Sequence, residues 1–148
     1  VIRSRPNGGS FRQHAIHLCS APKDPPFGRL RITRFLAEED GMAGLSVQFN
    51  PYDAVRVELE DSILRDCARE DSFFPPLYLQ GLEEDNRPAG NLHFANVTVK
   101  DDRDRPILKI RDRKGHGAKA VTGEITLERQ GRRETIAIDA SWLETMRE

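Results

Sequence analysis

Five short segments, each with two apolar residues flanking one other residue, place chemically capable side chains at matching positions. They read HAIHLCS at His14–Ser20, AGLSVQF at Ala43–Phe49, PLYLQG at Pro76–Gly81, ILKIRD at Ile107–Asp112 and TIAIDA at Thr135–Ala140. Side chains alternate across an extended strand. With Ile16, Leu45, Leu77, Leu108 and Ile136 turned inward, one outward row is His17, Ser46, Tyr78, Lys109 and Ala137, and the next is Cys19, Gln48, Gln80, Arg111 and Asp139. If the strands stack about 4.8 Å apart, neighbours within a row lie within side-chain reach. Tyr78 then offers an aromatic platform, and Gln48 and Gln80 offer paired donors and acceptors suited to hydroxyl groups. Lys109 and Arg111 are cations, and a guanidinium matches a carboxylate through two parallel hydrogen bonds. The competing reading is that these are the solvated outward residues of an ordinary sheet, where charge belongs in any case.

Carboxylates form a second recurring feature. Glu38, Glu39 and Asp40, then Asp66, Glu70 and Asp71, then Asp101, Asp102 and Asp104 fall at one phase of the repeat. Stacked carboxylates suit calcium, which takes several oxygen ligands, and paired carboxylates suit glycosidic hydrolysis. Arg65, Arg69, Lys100, Arg103 and Arg105 are interleaved with them, which favours a solvated, salt-bridged loop edge. His93 and His116 have no partner readable from the sequence.

Some scaffold must hold these rows in register, and its signature is a repeat. The inward residues Ile16, Leu45, Leu77, Leu108 and Ile136 are separated by 29, 32, 31 and 28 residues. A second series, out of phase with the first, begins at Leu30, Val57 and Leu92. Ungapped alignment sets Val57 on Leu92, Leu59 on Phe94, Asp61 on Asn96, Leu64 on Val99 and Asp66 on Asp101. A fourth copy, VTGEITLER from Val121, fits if one residue is dropped before Ile125. Asp61 and Asn96 suit a tight corner because Asp and Asn tolerate the left-handed conformation. Each repeat thus offers three strands in about 30 residues, and stacked copies bury a shared apolar column that one copy cannot bury alone. The expectation is an all-β parallel solenoid of about five coils spanning residues 1–148 as one domain. A short capping helix is expected in SWLETMRE, with Ser141 as N-cap. An antiparallel β-sandwich is the alternative.

Composition limits the partners. The 148 residues carry 23 Lys plus Arg against 24 Asp plus Glu, a formal net charge of -1. A general nucleic-acid binder would show basic excess, and no apolar run of about 18 residues is long enough for a spanning helix. Cys19 and Cys67 are too few for a disulfide scaffold and are expected as buried free thiols. No Cys/His cluster has zinc-site spacing and no phosphate-cradling glycine loop occurs, so no metal ligands are assigned. The opening VIRSRPNGGS resembles neither a Met start nor a secretory signal, so a fragment or processed chain is expected.

The triplets, the Asn or Asp corner in LHFANVTVKD and VELEDSILRD, and the long loop after it resemble the pectate-lyase-like right-handed parallel β-helix superfamily across roughly Phe11 to Ala140. The resemblance implies the C-terminal coils of a longer β-helix, and a secreted or periplasmic setting. It implies that the sheet bearing the triplets carries a polysaccharide or oligosaccharide, with calcium as a cofactor of many family lyases. On that sheet a uronate would meet Arg111 as charge neutraliser and Lys109, Tyr78 or His17 as base for β-elimination, with Gln48, Gln80 and Asp139 as further contacts. Polysaccharide lyase, glycoside hydrolase and non-catalytic glycan-binding or structural solenoid all remain open at this point.

Overall fold

The computed structural model describes residues 2–3, 14–19, 29–38, 41–48, 56–69, 74–80, 91–111 and 121–146. Its strands are β1 (Ile2–Arg3), β2 (Ile16–Cys19), β3 (Arg29–Thr33), β4 (Leu36–Glu38), β5 (Leu45–Gln48), β6 (Arg56–Arg65), β7 (Leu77–Gln80), β8 (Asn91–Lys100), β9 (Leu108–Arg111), β10 (Val121–Arg129) and β11 (Arg132–Ala137), followed by helix α1 (Ala140–Thr145). The strands form two sheets. One has the order β1-β4-β6-β8-β10-β11, with β3 also paired to β6; the other is β2-β5-β7-β9. The protein is therefore all-β with parallel sheets, and among the described residues β10–β11 alone pairs antiparallel. No described helix is long and apolar enough to cross a membrane.

The register follows from alternation. Val57 pairs with Leu92, Leu59 with Phe94 and Leu64 with Val99, as the ungapped alignment sets them. Leu30 and Ile32 pair with Val57 and Leu59. β6 and β8 each bend in mid-strand, where Asp61 (φ 48°) and Asn96 (φ 53°) adopt the left-handed conformation. Asn96 Nδ2 donates to Asp61 Oδ1 at 2.8 Å, so the corner residues also bond to each other. Arg34 (φ 53°) supplies the same corner between β3 and β4, although Arg has no local hydrogen bond to favour it. β10 turns its corner one residue shorter, with a register shift between Gly123 and Ile125 that matches the dropped residue. Gly123 has φ +105°, and a Cβ there would stand 1.9 Å from the Phe94 carbonyl oxygen.

Inward side chains from both sheets merge into one apolar cluster. Val57, Leu59, Leu64, Leu92, Phe94 and Val99 meet Leu45, Leu77, Leu79, Leu108 and Ile110 there, all at most 2% exposed. Ile16, Leu45, Leu77 and Leu108 occupy one in-register column. Ile136 does not join it. The turn Gln130–Gly131, left-handed at both residues (φ 49° and 74°), has the backbone of a two-residue hairpin and reverses the chain. β11 therefore runs back along β10, with Ile136 opposite Ile125. That removes Ala137 and Asp139 from the rows of the other sheet.

Helix α1 is capped two residues earlier than expected. Asp139, not Ser141, is its N-cap, with Oδ1 accepting from the Trp142 amide at 2.9 Å. The helix buries Leu143, and the Ile110 amide of β9 donates to the Met146 carbonyl at 3.1 Å. Cys67 is a buried free thiol, whereas the side chain of Cys19 lies outside the described residues.

Candidate functional site

β2, β5, β7 and β9 set the expected rows side by side. His17, Ser46, Tyr78 and Lys109 are mutual register partners, as are Cys19, Gln48, Gln80 and Arg111. The surface is less open than alternation alone implies. Ser46 is 0% and Tyr78 1% exposed. The Tyr78 ring packs edge-on against Phe74 at 4.8 Å, Phe74 packs edge-on against His14 at 4.9 Å, and His14 stacks on His17 at 5.1 Å. Tyr78 Oη donates to Gln80 Oε1 at 3.1 Å, and His17 Nδ1 lies 3.3 Å from Ser46 Oγ. Tyr78 is thus part of a packed aromatic chain rather than a solvent-facing platform, and its phenolic proton is already committed.

His17 is exposed, while Gln80, Lys109 and Arg111 are half-buried, and Lys109 and Arg111 also engage neighbouring groups. His17 and Lys109 stand three strand spacings apart, about 14 Å, too far to act on one atom together. The side chain of Gln48 lies outside the described residues. Asp139 is spent on capping α1.

Glu38, Asp101 and Asp102 of the repeating loops are held by cations and amides. Arg65 Nη1 donates to Glu38 Oε1 at 2.7 Å. The Asp101 side chain is fully buried and accepts from Arg103 Nε at 2.8 Å and Arg105 Nε at 2.7 Å. These guanidiniums also donate to the Cys67 and Ala68 carbonyls, tying loop 101–105 to the turn after β6. Asp102 Oδ1 accepts from the Gln130 amide at 2.6 Å. Glu39, Asp40, Glu70, Asp71 and His116 lie outside the described residues. Among the described residues no group of three or more His, Cys, Asp or Glu is arranged to hold a metal ion. His93 does have a partner, with Nδ1 2.9 Å from Thr122 Oγ1.

On the outer face of the larger sheet, Glu38, Arg65, Lys100, Glu128 and Arg133 form a row across five strands. Lys100 forms an ion pair with Glu128, and its hydrogen bond, with the charges of Lys100, Arg133 and Arg65, holds the Glu128 carboxyl below its ordinary value despite partial burial. Toward the other end of strand β6, Glu58 accepts from Arg29 Nε at 2.7 Å and Arg56 Nε at 2.6 Å. The Arg29 hydrogen bond leads in lowering its carboxyl below the usual range, and the charges of Arg29 and Arg56 add to it. Part of the first row was readable, because the ungapped alignment sets Arg65 on Lys100. Arg133 was not, since it arrives through the β10–β11 hairpin.

Comparison with known proteins returned no matching family model, no matching curated protein and no matching solved structure.

Proposed function

We propose that the chain forms coils of a right-handed parallel β-helix and binds an acidic polysaccharide on the sheet β2-β5-β7-β9. The observation that carries this reading is the in-register pairing of Tyr78 with Lys109 and of Gln80 with Arg111 on adjacent strands. It sets an amide donor and acceptor beside two cations on one face, the complement of a sugar bearing hydroxyls and a carboxylate. The coil reading is supported by strands that alternate between two parallel sheets about every 30 residues, and by corner residues that adopt one conformation at one phase. A secreted or periplasmic setting belongs to the same proposal, as does a place among pectate-lyase-like proteins.

Elimination is the second reading, favoured by Lys109 and Arg111 two residues apart on one face of β9. Arg111 would neutralise the uronate carboxylate. Lys109 would take the proton beside it, a carbon–carbon double bond would form as the carbon–oxygen bond to the leaving group breaks, and the departing oxygen would take a proton from water. Burial of Tyr78 takes away the third expected participant, so binding ranks ahead of turnover. Hydrolysis ranks lower, because Glu38, Asp101 and Asp102 are engaged by cations and amides.

Calorimetric titration with oligogalacturonate tests the binding reading. Binding that weakens about tenfold in Arg111→Ala is expected, from the loss of charge-assisted hydrogen bonds. Absence of binding to pectate, alginate and glycosaminoglycans alike would end it. Ultraviolet absorbance from a new unsaturated uronate would promote the elimination reading; flat absorbance with no reducing ends released would remove it.

A further inference from the structure

The row Glu38, Arg65, Lys100, Glu128 and Arg133 brings several cations together on one outer face. Arg65 and Lys100 are direct register partners, and like charges opposite one another on adjacent strands repel. Glu38 relieves Arg65 from one side and Glu128 relieves Lys100 from the other. Glu128 is also shared with Arg133, whose Nη1 lies 3.8 Å away. Arg132 and Arg133 then enter from the reversed strand β11.

These four cations line a cleft of about 430 Å³ together with Asp66, Asp102, Glu128 and Gly131. A volume of this size falls within the roughly 300–1,000 Å³ range of small-ligand sites. Four cations and three carboxylates line the cleft, Glu38 adds a fourth carboxylate on Arg65, and Asp102 spends Oδ1 on the Gln130 amide. Each guanidinium carries five donors, whereas Arg65 donates to Glu38 through Nη1. The Arg65 and Arg133 side chains are 45% and 69% exposed, so an incoming anion reaches them from solvent.

The wall of the cleft is built rather than loose. The Gln130–Gly131 turn is pinned to Asp102 twice, by the Gln130 amide on Oδ1 at 2.6 Å and by Gln130 Nε2 on the carbonyl at 3.3 Å. Positive φ at both turn residues fixes the direction from which Arg132 and Arg133 leave it. The geometry points to an anion site, distinct from the β2-β5-β7-β9 face, that takes the carboxylate or sulfate group of an acidic sugar. The sugar part of this inference rests on the proposed function; the anion part rests on the cleft alone.

The test follows backbone amides by NMR while the whole chain is titrated with inorganic sulfate and, separately, with galacturonate tetramer. Shifts centred on Gly131, Arg132 and Arg133 are expected with both probes. The double variant Arg132→Ala, Arg133→Ala should weaken them tenfold or more, and Arg111→Ala should leave them unchanged. Both arginines are solvent-facing, so an unaltered spectrum elsewhere certifies the fold of the double variant. Shifts with sulfate alone would uphold the anion site and discard the acidic-sugar ligand. Tetramer shifts confined to β7 and β9 and abolished by Arg111→Ala would overturn the cleft while upholding the proposed function. If neither probe moves the three amides, no anion site exists there.

Discussion

The two ends of the strand stacks are finished differently. At the C-terminal end β11 turns back antiparallel along β10, α1 sets Leu143 into the core, and the Ile110 amide of β9 finds the Met146 carbonyl. Leu108, Ile110 and Ile125 are consequently 0% exposed. At the other end Ile16, Leu18 and Ile32 occupy the same apolar columns yet are only partly buried. A parallel stack can repeat indefinitely, so closing it takes a break in the repeat: a reversed strand and a helix that answer the edge amides and cover the last apolar layer.

The largest expected effect breaks the closed end. Gly123→Ala would drive a Cβ to 1.9 Å from the Phe94 carbonyl at a φ of +105°. It should cost about 4 kcal/mol or more, read as a collapse of the urea midpoint or loss of soluble protein. A Gly131→Ala control, where a Cβ meets nothing within 4 Å, should cost much less.

The next substitution pair measures the two ends against each other. Leu108→Ala empties a fully buried position and should cost about 2–5 kcal/mol. Ile16→Ala, in the same column but partly exposed, should cost about half that, because less apolar area leaves water on folding. Equal costs in urea melts would show that the ends are equally closed.

The smallest effect is acid titration, which compares a carboxylate on the inner strand β6 with one on β10, beside the reversed strand. Glu58 and Glu128 are both held below the ordinary carboxyl value of 4.5. A lowered folded-state value contributes stability above the unfolded value, and that contribution is lost as pH falls through the folded one. The urea midpoint should therefore drop below about pH 4.5. Glu58→Gln and Glu128→Gln should each flatten part of the drop; a slope unchanged by either would remove these ion pairs from the acid response.

Much of the scaffold was legible because a repeat is a sequence-level event. The match of VELEDSILRD to LHFANVTVKD gave the register of β6 and β8 residue for residue, and Asp61 and Asn96 marked the corner by their chemistry. The β11 error has an equally local cause. TIAIDA alternates like the four triplets before it, and alternation is the same whether a strand runs parallel or antiparallel. The reversal was signalled by Gln130–Gly131, two residues between two strand-like runs. Burial of Tyr78 could not be read at all, since Phe74 packs on it, and His14 on Phe74, through folding rather than through the repeat. Arg103 was expected on a solvated, salt-bridged loop edge; its carboxylate partner is instead the fully buried Asp101, and it also holds the Cys67 carbonyl.

Cys67 sits where no larger neighbour would be tolerated. A Cβ on Gly44 would come within 2.8 Å of its sulfur, and the thiol is 0% exposed. Oxidants and alkylating reagents can reach this sulfur only when the surrounding turn opens. Its modification is then gated by local opening, which makes the sulfur a chemical record of how often the middle of the stack comes apart.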